Sequence, residues 1–208
     1  MTIPPLPITP PLHADVRGGI RNWGGALGNL VDGDCVIAGF EQLRKCHAVT
    51  SASTWRKVLY RVGFRPPHKA YTVQIYAEYL STVGLTPGPT SGVYPNLFFA
   101  WAQTQGLIKS WGAVDVTDTA AMQEAMATHH GCLLTLALTP QAYGSAAIPG
   151  GRWVTGTTKN YKPNPNIQHA IAMVEYNPAW WACVTWGDLV YLSPPFVSEC
   201  VNGCYWFE

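Results

Sequence analysis

Apolar and polar positions fall into two regimes along this chain. Up to about residue 129 the apolar residues recur mainly at helical spacing, and from residue 132 onward they alternate or run together in short blocks bounded by glycine and proline. Val36, Phe40, Leu43 and His47 predict a helix over 35–49, with Asp34 as the N-cap whose carboxylate accepts orphan amides. Further helices are predicted over 54–62, over 72–83 with Thr72 as N-cap, and from Tyr94-Pro95 to the stop at Gly106. A fifth runs from a cap at Thr117 or Asp118 to about His129, where Gly131 ends it. Leu107-Ile108 reads as a short strand and 132–138 as a buried one.

The second half predicts a sheet. Residues 139–167, rich in glycine and proline, read as a long loop, and loops of that length in small domains tend to carry function. Strands over 168–176 and 180–192, joined by a turn at Asn177-Pro178, are followed by a short helix or turn at 195–201 and a last strand at 205–207. Helices first and strands later make an α+β class, an N-terminal helical half packed on a C-terminal antiparallel sheet. Five prolines within residues 1–12 forbid helix and central strand, so residues 1–16 are expected to form an extended arm and 17–208 a single domain. Gly18, Gly19, Gly24, Gly25 and Gly28 mark irregular backbone around Trp23.

Composition narrows the function classes. With 208 residues and 48% hydrophobic content the chain can bury a sizeable core. Lys plus Arg number 13 against 12 Asp plus Glu, which leaves no electrostatic footprint for nucleic acid or an anionic membrane surface. No segment has the length of a membrane span, and the start lacks the basic and apolar regions of a secretory signal. The expectation is a soluble, non-exported protein, cytoplasmic in location. Six scattered cysteines do not make a disulfide scaffold, so free thiols are expected. One local Cys200–Cys204 disulfide fits that reading too; a zinc site using those two with His129, His130 and Cys132 is the weaker alternative, because structural zinc sites show tightly paired ligands.

Two residues carry the candidate chemistry. Cys35 opens the first predicted helix, where unpaired amides and the positive end of the macrodipole favour a thiolate. His169 stands 134 residues later, at the start of an alternating strand and just after the long loop. Folding the hairpin at Asn177-Pro178 sets positions summing to about 355 opposite each other and so places His169 across from Thr185, Trp186 or Gly187. A group orienting the imidazole is expected there. Glu175 is six strand residues beyond His169, about 20 Å away, and is excluded, whereas Asp188 is nearer and more simply a solvated turn residue. The competing account of Cys35 is a buried core thiol, and of His169 a ring that satisfies a local carbonyl. His129-His130 sits at a helix end, a favourable place for histidine, and Trp180-Trp181 is the expected exposed aromatic patch.

At these residues the chain resembles the papain-like cysteine peptidases. That family spaces its cysteine and histidine by about 130–150 residues. It starts a central helix at the nucleophile, as Cys35-Val36-Ile37-Ala38-Gly39 does here, and carries a His-Ala-hydrophobic strand, to which His169-Ala170-Ile171-Ala172 is similar. Its Asn-Ser-Trp-Gly segment resembles Val184-Thr185-Trp186-Gly187, in which Val184 or Thr185 stands where the family has its orienting asparagine. Asn29, six residues before Cys35, occupies the place of the oxyanion-hole glutamine. The resemblance is nearest to small papain-fold proteins of bacteria and their phages with an Asp-Cys helix start. It implies a thiol hydrolase acting on a peptide or protein, with Cys35, His169, Asn29 and Thr185 as the site and no metal or organic cofactor. It equally admits a non-catalytic structural or interaction protein, such as a phage capsid or tail component, that meets protein neighbours through the Pro-rich arm and aromatic patches.

Overall fold

Among the described residues eight strands form one sheet, and the helix that starts at Cys35 lies across its middle. The computed structural model describes residues 9–20, 23, 25–27, 33–51, 69–89, 91–145 and 150–208. In chain order these contain β1 (Ala14–Asp15), α1 (Cys35–Ser51), α2 (Lys69–Thr82), α3 (Pro95–Thr104), β2 (Trp111–Val114) and α4 (Thr119–Thr128). There follow β3 (Cys132–Ala137), α5 (Pro140–Gly144), β4 (Arg152–Trp153), a 3₁₀ turn at Lys159–Tyr161 and β5 (Gln168–Tyr176). The chain closes with β6 (Trp181–Thr185), β7 (Asp188–Leu192), α6 (Pro194–Cys200) and β8 (Val201–Phe207). This is an α+β fold, with the longer helices before the main run of strands. The predicted helix at 54–62 and residues 1–8 of the arm lie outside the described residues.

The strand order is β2-β8-β3-β5-β6-β7-β4, with β1 also pairing β5. All pairings are antiparallel except the short β4–β7 pair. Central β5 is buried along nearly its whole length, so its alternation is masked by apolar residues on both faces. Against it packs α1, whose Val36, Ile37, Phe40, Leu43 and Cys46 are buried. Behind the helix Phe40 meets Phe98 at 5.2 Å and Phe207 at 4.8 Å between ring centroids, tying α1 to α3 and β8. Edge-to-face and tilted ring contacts of this kind add to ordinary burial.

Several local expectations change in the fold. Leu107-Ile108 is not a strand: the Leu107 amide donates to Ala102 O at 2.9 Å and that of Gly106, at φ 69°, to Gln103 O at 3.1 Å, closing α3 with a Schellman cap. The strand forms later, at Trp111–Val114, where β8 offers a partner. Thr72 is no N-cap, since α2 starts at Lys69 and Thr72 is buried inside it. Of the two caps considered for α4, Asp118 serves, its carboxylate accepting from the Ala121 amide at 2.9 Å. The 139–167 loop contains α5, capped by Thr139 and opened by Pro140, together with β4 and the 3₁₀ turn. Trp180-Trp181 is not an exposed patch: Trp181 is buried, and half-buried Trp180 lies under the Arg152 guanidinium at 5.1 Å. All six cysteines are free, and among the described residues no three His, Cys, Asp or Glu side chains gather as a metal site would require.

The predicted 180–192 strand is two strands. Trp186 and Gly187 take positive φ, 47° and 88°, and turn the chain between the paired residues Thr185 and Asp188. A two-residue hairpin loop with positive φ at both positions matches the right-handed twist of its strands, and it favours glycine at the second. A Cβ on Gly187 would overlap the Gly25 backbone as well, so this turn and the Gly25 turn meet main chain to main chain. Gly187→Ala is therefore expected to destabilise the protein by about 2 kcal/mol or more, from left-handed strain plus the displaced contact. Urea unfolding checks it; an unchanged midpoint would mean that the two turns do not touch.

Candidate active site

The nucleophile candidate is placed by how α1 begins. The Gly33 amide donates to Gly88 O at 3.0 Å, pinning the entering chain, and the Asp34 carbonyl accepts from the amides of Ile37 and Ala38 at 2.9 Å each. The helix thus starts at once, with Cys35 as its first residue and its thiol beside the amides of Ala170 and Val36. These amides and the helix terminus favour a thiolate. Burial wins over them: it pushes the thiol up to about 11, and the Asp34 carboxylate, itself buried, adds in the same direction. The expectation of a depressed thiol is thereby corrected, because desolvation of the sulfur outweighs the local dipoles.

The histidine is placed by β5 and held by β6. His169, second residue of β5 and buried, has Nε2 2.6 Å from Thr185 Oγ1. The Trp186 ring lies flat over the imidazole, 4.1 Å between centroids and 8° from parallel. That indole reaches the imidazole only because Trp186 stands in the left-handed turn position, uncommon for a bulky residue. Thr185, not Val184, therefore stands behind the ring; Val184 pairs with Ala172. The Thr185 contact engages Nε2 and leaves Nδ1 as the ring nitrogen not bonded to Thr185; in the tautomer with Nε2–H donating to the hydroxyl, Nδ1 carries the lone pair. Burial alone lowers the imidazole to about 3, so the resting site holds a neutral thiol and a neutral ring.

Cys35, His169 and Thr185 come together. Cys35 and His169 share a cleft of about 570 Å³ whose other walls include Tyr94, Gln168, Asn202 and Tyr205. A smaller recess behind Cys35 is lined by Gln42, Gly25 and the Thr185-Trp186-Gly187 turn, with Gln42 Nε2 donating to Trp23 O at 2.8 Å. Asn29 lies outside the described residues. Asp188 pairs with Thr185 across the hairpin and Glu175 is occupied elsewhere, 2.7 Å from Arg17. His129 stacks on Trp206 at 3.9 Å and sits 2.9 Å from Glu208. Gln168, Asn202, Tyr94 and Gln42 were not singled out from sequence. Only the place of Gln168 beside His169 offered a signal.

No protein-family model matches this chain, and no curated protein matches it in sequence. Solved structures do match. The chain is similar to xylellain, a cysteine protease from Xylella fastidiosa, with a TM-score of 0.56 and 10% identity over 96% of this chain and 87% of that one. It is similar also to the Carica candamarcensis cysteine protease CMS1MS2, solved in complex with E-64, with a TM-score of 0.50 and 15% identity over 95% and 98% of the two chains. The fold is papain-like.

Buried groups held neutral contribute to the pH dependence of stability. His169, at about 3 in the folded chain, and His47, lowered by burial to about 4, both start from 6.5 when unfolded. Their contribution is fully present above that value and is lost progressively as pH falls from it toward about 4 for His47 and about 3 for His169. Cys35 acts on the other limb: its contribution is present below its ordinary 9.0 and is lost as pH rises toward 11. His169→Gln is expected to flatten the acid slope of unfolding free energy by about one proton, near 1.4 kcal/mol per pH unit. Urea midpoints measured from pH 7.5 downward test this, and an unchanged slope would mean that the ring is not buried neutral.

Proposed function

We propose that this protein is a thiol hydrolase acting on a peptide or a related amide. One observation carries the reading: the imidazole of His169 is held at 2.6 Å by Thr185 and covered by Trp186, in the same cleft that Cys35 opens. A ring so fixed leaves Nδ1 as its reactive nitrogen. Cys35 Sγ attacks the substrate carbonyl while Nδ1 takes the thiol proton, and the same proton then goes to the departing amine. Water hydrolyses the thioester that remains, its proton returning through His169. The Cys35 amide at the start of α1 binds the developing oxyanion, together with the side chain of Asn29. Starting from a neutral pair, proton transfer accompanies attack and does not precede it.

A second reading is a papain-fold protein that binds protein neighbours without cleaving them. The observation favouring it is the burial that raises the thiol to about 11 and keeps the imidazole uncharged near neutral pH. Alkylation separates the two. Cys35 is the half-buried thiol and the other five cysteines are buried, so iodoacetamide at pH 7 is expected to label one site, lost in Cys35→Ala. His169→Ala is expected to slow labelling about a hundredfold, the scale of a positioned general base, and Thr185→Val by less. If His169→Ala leaves the labelling rate of Cys35 unchanged, the hydrolase reading fails and the binding one takes its place.

A further inference from the structure

A defect in one strand pairing shapes the floor of the cleft. Between β3 and β8 the register runs Thr135 with Gly203 and then Leu136 with Val201, so Asn202 is an extra residue without an opposite number. Such bulges re-aim a side chain and recur beside active sites. Here the bulge sends Asn202 into the cleft, where Thr135 Oγ1 donates to its Oδ1 at 2.8 Å. Its Nδ2 in turn donates to Gln168 Oε1 at 2.9 Å, and Gln168 Nε2 donates to Pro165 O at 2.9 Å. Gly203 makes the room: a Cβ there would overlap the Thr135 hydroxyl and press on the Tyr205 ring. The chain of three polar side chains ends at Gln168, the residue before His169, and among the described residues no charged side chain lines the cleft.

The amide groups of this chain are only half used. Each carboxamide has a second N–H and a second oxygen lone pair beyond the bonds just given. Asn202 and Gln168 are both exposed to the cleft, so these unused positions face a ligand. The floor therefore offers donors and acceptors side by side, with Tyr94 and Tyr205 supplying flat apolar walls. A primary carboxamide is the partner that answers both kinds of group at once. A carboxylate would waste the donors' neighbours and an ammonium the acceptors', and neither would find a counter-charge. An aliphatic side chain would leave the polar floor unpaired.

We propose that Asn202 and Gln168 determine specificity by selecting a substrate with an asparagine or glutamine side chain next to the bond presented to Cys35. This rests on the reading of the cleft as a substrate site, and its test does not depend on turnover. The Cys35→Ala protein, full length, is titrated with tetrapeptide amides in which one position at a time carries Gln, Leu, Glu or Lys, and binding is followed by NMR. At one position Gln is expected to bind about tenfold tighter than the other three, the worth of one to two net hydrogen bonds. Asn202→Ala should abolish that preference, while Asn202→Asp, alike in shape, should shift it toward Lys. Equal binding of Leu, no binding by any peptide, or a Gln preference that survives Asn202→Ala overturns the proposal. Failure of Cys35 alkylation alone would overturn the hydrolase reading and leave these affinities to be judged separately.

Discussion

The packing of α1 onto β5 is the contact on which the cleft depends. Helix and sheet come close at Gly39: a Cβ there would sit 2.5 Å from Leu133 Cδ1, so the Leu133 side chain would have to move aside. One turn earlier on the same helix stands Cys35, and its thiol lies against the amide of Ala170, the residue after His169. A shift of the helix by one side-chain layer would separate sulfur from strand. The aromatic cluster of Phe40, Phe98 and Phe207 holds the helix from the other side, so nucleophile and base are positioned by core packing and not by each other.

Burial explains the charge state of the site. A helix N-terminus contributes about 0.3–1 kcal/mol to an anion at an exposed position, whereas desolvation of a buried group shifts its pKa by up to about 3–5 units at roughly 1.4 kcal/mol each. The larger effect prevails at both residues, leaving Cys35 and His169 neutral. A hydroxyl behind the ring suits that state. Thr185 orients the imidazole through one short hydrogen bond without bringing a negative charge that would draw a second proton onto it. Trp186 covers the pair and keeps the bond out of water.

The elements that were legible in sequence are those with a strong local signal. A helix that starts after Asp34, a cap at Thr117 or Asp118, a Gly106 stop and an apolar strand before Gly-rich chain all follow from neighbours a few residues apart. Elements that need a distant partner were read less well. Leu107 looks like a strand residue but spends its amide on the end of α3. Trp181 looks like surface beside a hairpin turn but points into the core from β6. The 180–192 run reads as one strand because the alternation continues across Trp186-Gly187, and only two positive φ angles reveal the turn.

By itself the sequence determined the α+β order, the start of α1 at Cys35, the strand that opens near His169 and the short list of residues opposite it, because each rests on periodicity, capping or hairpin counting within one segment. Tertiary structure decided the rest. Which of Val184 and Thr185 stands behind the ring was settled by a register that shifts between Met173 and Glu175. The neutral state of the thiol and the imidazole was settled by how deeply other segments bury them. Asn202 entered the cleft through a bulge in the pairing of β8 with β3. Registers, burial and bulges belong to pairs of segments that meet only when the chain has folded, and no pattern within one segment encodes them.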